Sequence, residues 1–281
     1  MNLGRLLRML RLEPIHRNPS LDTTHTCPFP EAAGGLIRPE WCFAHQWRKV
    51  RDLPGDLSPS TILSREELLL ARDGRITMYY TPFDLILPEA KVLLVGITPG
   101  KQQLAKATVA ARQAIHDGLG AEGVLRRADG AGSFAGPMRR NLVSMLDDIG
   151  LNAALGMETR KAIFGSADGL ADSTSLFSYA VFCDGENYRG DPPPERVPLL
   201  DAYLTQVFAR ILDMTPDALV IPLGKAVTDG LRRLEHLGKL DPERCLFGFP
   251  HPSGANGWRV KQFQEHRDAL EAGVRRWFAA R

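Results

Sequence analysis

Two short stretches carry the residues on which a site would be built. In Lys91-Val92-Leu93-Leu94-Val95-Gly96-Ile97-Thr98-Pro99-Gly100, an apolar run too short for a helix ends in Gly96 and Pro99-Gly100. That pattern predicts a buried strand feeding a tight turn, and such a turn is a natural front wall for an active site. Its counterpart is the run 246–256, which contains His251-Pro252-Ser253-Gly254 and Asn256. A third group, His25-Thr26-Cys27 and Cys42-Phe43-Ala44-His45, offers the ligand types of a tetrahedral zinc site. H-x-C with C-x-x-H is not a common zinc spacing, and both residue types also serve as plain packing, so no metal and no cofactor is assigned.

The elements that must position these residues follow from the pattern around them. The chain has 281 residues, 44% hydrophobic and 24% charged, enough for one large domain or a domain with an extension. Lys plus Arg number 35 against 33 for Asp plus Glu, so net charge does not announce a polyanionic partner and any basic surface must be local. Cys27, Cys42, Cys183 and Cys245 form no C-x-x-C pair and no dense framework, which fits a reducing cytoplasm. No apolar run approaches the roughly eighteen residues of a membrane span. The Arg-rich, amphipathic opening 1–12 has the look of a transit peptide, but the preferred reading is a surface helix, with phosphate contact by its arginines as the alternative.

Repeated prolines between 14 and 59 predict an irregular N-terminal extension over 1–75, and a main domain over 76–281. A short helical stretch is expected near 64–72. Further on, buried strands are expected at 91–97, 176–183, 218–223 and 245–249, with helices at 104–115, 137–149, 198–212, 225–237 and 260–279. Pro137 stands where proline is tolerated in a first helical turn. Strands alternating with helices, each strand almost continuously apolar, predict an α/β fold. The expected architecture is a three-layer α/β/α sandwich around a central four-stranded, mostly parallel sheet. Sites in such sheets lie beyond the carboxyl ends of the strands, where both organising turns fall.

With these residues in place, the stretch from Tyr79 to the C-terminus resembles the uracil-DNA glycosylase superfamily. Gly96-Ile97-Thr98-Pro99-Gly100 and His251-Pro252-Ser253-Gly254 are similar to its two signature motifs, in order and at about the right separation. Gly132-Ser133-Phe134-Ala135-Gly136, followed by Met145 to Leu151, looks like the stretch that carries a base-stacking phenylalanine. Tyr179-Ala180-Val181-Phe182-Cys183 occupies the strand that normally carries a base-reading asparagine.

The resemblance implies a monofunctional DNA glycosylase that flips a nucleotide out of the duplex and hydrolyses its N-glycosidic bond, with DNA as partner and no cofactor. It makes His251 the donor to the leaving base and Phe134 the stacking platform. Gly96, Pro99, Gly100 and Tyr179 would surround the base. Lys101, Ser253, Gly254, Asn256 and Arg259 would hold the DNA, and Trp258 or Arg259 would fill the gap in the duplex. Two positions depart from the family. Thr98 stands where a water-positioning acid or amide is usual, and a threonine hydroxyl orients water without serving as a base at neutral pH. Gln102, Gln103 and Asp184 are the other candidates for handling water.

Tyr179 stands where an amide would read uracil, and a phenol does not offer the same paired donor and acceptor. A modified or damaged base, including a modified phage pyrimidine such as glucosylated hydroxymethylcytosine, is therefore expected rather than tight uracil specificity. The alternatives are a DNA-binding module that kept the fold and lost the chemistry, and a hydrolase of free nucleosides or nucleotides.

Overall fold

The computed structural model describes residues 28–29, 35–133, 136–165 and 170–280. The opening 1–12, His25, Cys27 and Phe134 therefore lie outside the described residues. The first helix, α1 (Phe43–Asp52), buries Phe43, Gln46 and Val50, one stripe of its surface. Two 3-10 turns, Ile62–Ser64 and Glu66–Leu68, then lead into β1 (Leu69–Asp73), so the helix expected over 64–72 is not formed. Its second half is drawn into pairing with β2 (Ile76–Tyr79) through a turn in which Gly74 takes φ of 57°.

The boundary expected between 75 and 76 falls inside this hairpin. Residues before it belong to the same core: Phe29, Ile37, Trp41, Leu57 and Leu68 are all buried in the principal apolar cluster. A buried carboxylate secures the junction. Asp84 accepts hydrogen bonds from the Phe43 amide at 3.2 Å and from the Tyr80 and Tyr179 hydroxyls at 2.8 and 2.7 Å. Prolines break regular structure in this region, but they do not stop its aromatic residues from packing.

At the centre lies β3 (Val92–Gly96). Leu93 and Val95 enter one apolar cluster while Val92 and Leu94 enter the other, so the strand is covered on both faces. It is followed by α2 (Lys101–His116), α3 (Ala121–Gly132), α4 (Gly136–Asp148), α5 (Leu151–Leu155) and α6 (Thr159–Phe164). Then come β4 (Ala171–Ser175), β5 (Ala180–Cys183) and the two-residue β6 (Glu186–Asn187). A continuous helical segment comprises α7 (Pro198–Ala202), a π-helical stretch Tyr203–Phe208 and α8 (Ala209–Met214). The chain ends with β7 (Leu219–Pro222), α9 (Lys225–His236) and α10 (Arg259–Ala279).

The parallel sheet has the order β4-β3-β7. Where a fourth full strand was expected at 245–249, the chain makes a single parallel bridge, Cys245 to Val220, with the Leu246 amide donating to the Val220 carbonyl at 2.9 Å. Residues of α4, α5 and α10 cover one face, and residues of α2, α9 and the 198–214 segment cover the other. This layering is compatible with a three-layer α/β/α sandwich.

A second, antiparallel sheet has the order β1-β2-β5-β6. The strand expected over 176–183 is therefore divided: Ala180–Cys183 pairs antiparallel with β2, and the parallel neighbour of β3 is the preceding Ala171–Ser175. That strand reads Ala-Asp-Ser-Thr-Ser and carries no apolar run, because part of its surface faces a cavity. Among the described residues, no helix is long and apolar enough to cross a membrane.

Candidate functional site

The cavity, of about 300 Å³, opens at the carboxyl ends of β3 and β4. Gly96, Ile97 and Thr98 line it from the end of β3, Ser173, Thr174 and Ser175 from β4, and Ser178 from the loop beyond. Gln102, Gln103 and Lys106 come from α2, Asp129, Ala131 and Gly132 from α3, and Phe83, Ser133, Met138 and His251 complete the wall.

The start of α2 is held in place by two side chains, one from the helix itself and one from β6. The Gly100 amide donates to Gln103 Oε1 at 3.0 Å, and Gln103 Nε2 donates to the Gly132 carbonyl at 3.0 Å. The Lys101 amide donates to Asn187 Oδ1 at 2.9 Å. Helix starts leave such amides without partners, and here β6 and α2 itself supply them. At Gly132 an added Cβ would stand 2.5 Å from Phe83 Cζ, so a larger residue there would displace the Phe83 ring in the wall.

His251 is set by the loop that follows the bridge. The Ser253 amide donates to its Nδ1 at 3.2 Å, so Nδ1 is the acceptor and the neutral ring carries its proton on Nε2. Burial lowers the imidazole pKa from its ordinary value, which keeps the ring neutral at pH 7. Gly224, at φ of 97°, passes so close that an added Cβ would lie 3.0 Å from His251 Cβ. The expected DNA contacts Ser253, Asn256 and Arg259 are engaged in folding this loop. Asn256 Nδ2 donates to the His251 carbonyl at 3.3 Å and to Gln262 Oε1 at 3.1 Å. Arg259 Nη1 donates to the Ser253 carbonyl at 2.9 Å. Gly254 lies in the exposed turn between them, and beyond it Trp258 and Val260 are 68% and 59% exposed.

Thr98 does reach the cavity wall, but its hydroxyl is occupied. It donates to the Tyr179 carbonyl at 3.0 Å and accepts from the Val181 amide at 2.9 Å, splicing the end of β3 to the start of β5. Its expected role at the attacking water is not supported by this geometry. Tyr179 is not brought to the cavity at all. Its ring is wholly buried, stacked on Phe29 with centroids 5.7 Å apart, and its hydroxyl, with a single proton, lies 2.7 Å from Asp84 Oδ1 and 2.8 Å from the Trp41 carbonyl. Residues 176–179 form the bends between β4 and β5, and it is the adjoining Ser178 that lines the cavity.

Pro99 is buried behind the turn, and Gly100 and Lys101 form the start of α2 rather than the wall. Gln102 lines the cavity with an exposed side chain, whereas Asp184 is paired with Arg75 at the tip of the second sheet and takes no part. Cys42 is buried at the start of α1, and among the described residues no group of three or more His, Cys, Asp or Glu is placed to hold a metal ion.

Sequence reading missed the cavity's acid. Asp129 is the one carboxylate in its wall among the described residues. Ser133 Oγ donates to Asp129 Oδ1 at 3.0 Å. Burial pushes the Asp129 carboxyl above the usual carboxylate range, opposed in part by that hydrogen bond and by Arg126. Behind it, Asp172 of β4 accepts from the Leu87 amide at 3.1 Å. Loss of hydration pushes Asp172 up to about 7, and the neighbouring Asp129 charge adds to the rise. A signal was present, since Asp129 and Ser133 are four residues apart at the end of a helix, but small residues around them gave the stretch the look of a loop.

No family model matches the chain, and no solved structure matches it. It is 35% identical over 241 residues to the protein described as "Uncharacterized protein YoxB" of Bacillus subtilis (strain 168), covering 85% of this chain and 94% of that relative. At that identity and over nearly the whole length of both, the chain belongs to the YoxB family.

Proposed function

We propose that the chain is a monofunctional DNA N-glycosylase of uracil-DNA glycosylase-like fold, releasing a modified or damaged base from DNA and leaving an abasic site. The observation that carries this reading is His251. Its Nδ1 is held by the Ser253 amide, and the ring stands in the wall of a cavity at the strand ends as a neutral Nε2–H donor. Breaking the C1′–N bond leaves the electron pair on the base and oxocarbenium character on the sugar; a water oxygen then bonds to C1′ and loses its proton to solvent. A fixed donor at the base is worth most when charge develops there in a dry site. The chemistry then needs no strong base at the water, which accords with the occupied Thr98 hydroxyl. Phe134 is the stacking residue by resemblance, and the exposed Trp258 beside the His251 loop is suited to entering the duplex when the nucleotide leaves it.

The test is base release measured by mass spectrometry, from DNAs carrying uracil, hypoxanthine, hydroxymethylcytosine and glucosylated hydroxymethylcytosine, run beside His251→Ala. Release of a base that disappears in the variant is the expected result. The second reading, a binding module without chemistry, is favoured by Thr98, whose hydroxyl is tied to the backbone on both sides. Tight binding to abasic DNA with no base released from any substrate would establish it.

A further inference from the structure

The polar groups around the cavity differ in how much they discriminate. Ser173, Ser175 and Ser178 are hydroxyls that either donate or accept, so they fit any base edge. Gln103 has a fixed amide, but both ends are engaged, with the Gly100 amide and the Gly132 carbonyl. Lys106 is exposed and also lines the adjoining groove against the segment 55–59. Asp129 is different. One oxygen receives the Ser133 hydroxyl, and no described group is hydrogen-bonded to Oδ2.

We infer that Asp129 reads the base, and that it selects an edge in which an exocyclic amine adjoins an unprotonated ring nitrogen, as in cytosine, adenine and their substituted derivatives. The inference rests on the glycosylase reading for its substrate and on the cavity for its chemistry. An ionised carboxylate accepts from the exocyclic amine. A neutral carboxyl carries one donor and one acceptor and pairs with either an amine-bearing or an imide edge, so the selection belongs to the ionised form. The imide edge of uracil or hypoxanthine presents a carbonyl where the amine would be, and its lone pairs would face those of the carboxylate. The groups facing Asp129 act in both directions: burial favours the neutral carboxyl, while the Ser133 hydroxyl on Oδ1 and the Arg126 guanidinium favour the carboxylate, and Lys106 stands in the same wall.

The experiment compares two sets of bases, cytosine, hydroxymethylcytosine and adenine against uracil and hypoxanthine, in DNA and as free nucleosides. Release from DNA and calorimetric binding of the nucleosides are measured for the full chain, Asp129→Asn and Ser133→Ala. The wild-type protein is expected to favour the amine-bearing set. Asp129→Asn, whose amide serves an imide edge, is expected to reverse the ratio about tenfold or more, and Ser133→Ala to weaken it less. Because the readout is a ratio between substrates, a loss of folded protein does not imitate it.

If the wild type releases uracil and Asp129→Asn leaves the preference unchanged, the inference is overturned while the glycosylase reading stands. If no base is released from DNA but amine-bearing nucleosides bind and Asp129→Asn abolishes that binding, the inference stands and the glycosylase reading falls. Failure to bind or release either set overturns both.

Discussion

The two organising turns meet the same cavity and leave their central side chains in opposite conditions. At the first, the Thr98 hydroxyl bonds to the Tyr179 carbonyl and the Val181 amide, and its work is to join the parallel sheet to the antiparallel one. At the second, the backbone bonds to one nitrogen of His251 and thereby fixes a donor on the other. Both residues line the same wall. Position in a motif therefore does not tell whether a polar group is available to a ligand, and a full account of its hydrogen bonds does.

Substitutions at the two turns should separate these roles. His251→Ala is expected to have the largest effect, lowering base release by about a hundredfold or more while leaving the melting temperature close to that of the parent. A fall in stability of similar size to Thr98→Val would erase the contrast. Thr98→Val strands a carbonyl and an amide, so it should cost about 1–3 kcal/mol in denaturant unfolding, with Thr98→Ser close to wild type. A release rate abolished in Thr98→Val with stability intact would return a catalytic role to the first turn.

Asp172 sharpens the comparison through pH. Its folded pKa of about 7 lies above the unfolded value of 3.8, so the folded state holds a proton that the unfolded state gives up. The corresponding stability is complete below about pH 4 and lost as pH rises through 7, at most roughly 3 kcal/mol between pH 5 and 8. Asp172→Asn should remove that slope in urea unfolding measured across the interval. An unchanged slope would place the titrating group elsewhere. The smallest effect is expected at Gly224→Ala. A left-handed φ of 97° and a Cβ 3.0 Å from His251 should cost about 1–2 kcal/mol and displace the imidazole, reducing base release more than His251-independent DNA binding.

The fold was legible where strands are buried on both faces. β3 and β7 are runs of Val, Leu and Ile because neither side of them meets water, and the long helices announced themselves by length. β4 was not legible, because the residues that finish it line a cavity and the strand is correspondingly polar. The same cause displaced the predicted strand into 176–183. The polar character that hid the strand is the one that furnishes the site.

His251, Gly96 and Thr98 line the wall, where the strand-end turns and the resemblance to the two family motifs led them to be expected. Tyr179 lies in the bends between β4 and β5, where no strand alternation fixes the direction of a side chain, and its packing against Phe29 with its hydrogen bond to Asp84 places the ring in the core. Asp129 was overlooked because the small residues around it gave the stretch the look of a loop, and its spacing from Ser133 does not show whether the pair faces solvent or a cavity.

By itself the sequence determined an α/β chain with a buried strand expected at 91–97, a turn at its end, and a histidine in a second turn, because local patterns record burial and backbone conformation. The tertiary structure decided that Thr98 is a splice, that Tyr179 is core, that residues 35–75 belong to the main body, and that an aspartate from α3 stands in the cavity. Those facts depend on contacts between residues tens of positions apart, which solvent exclusion and hydrogen-bond pairing settle only once the chain has closed on itself.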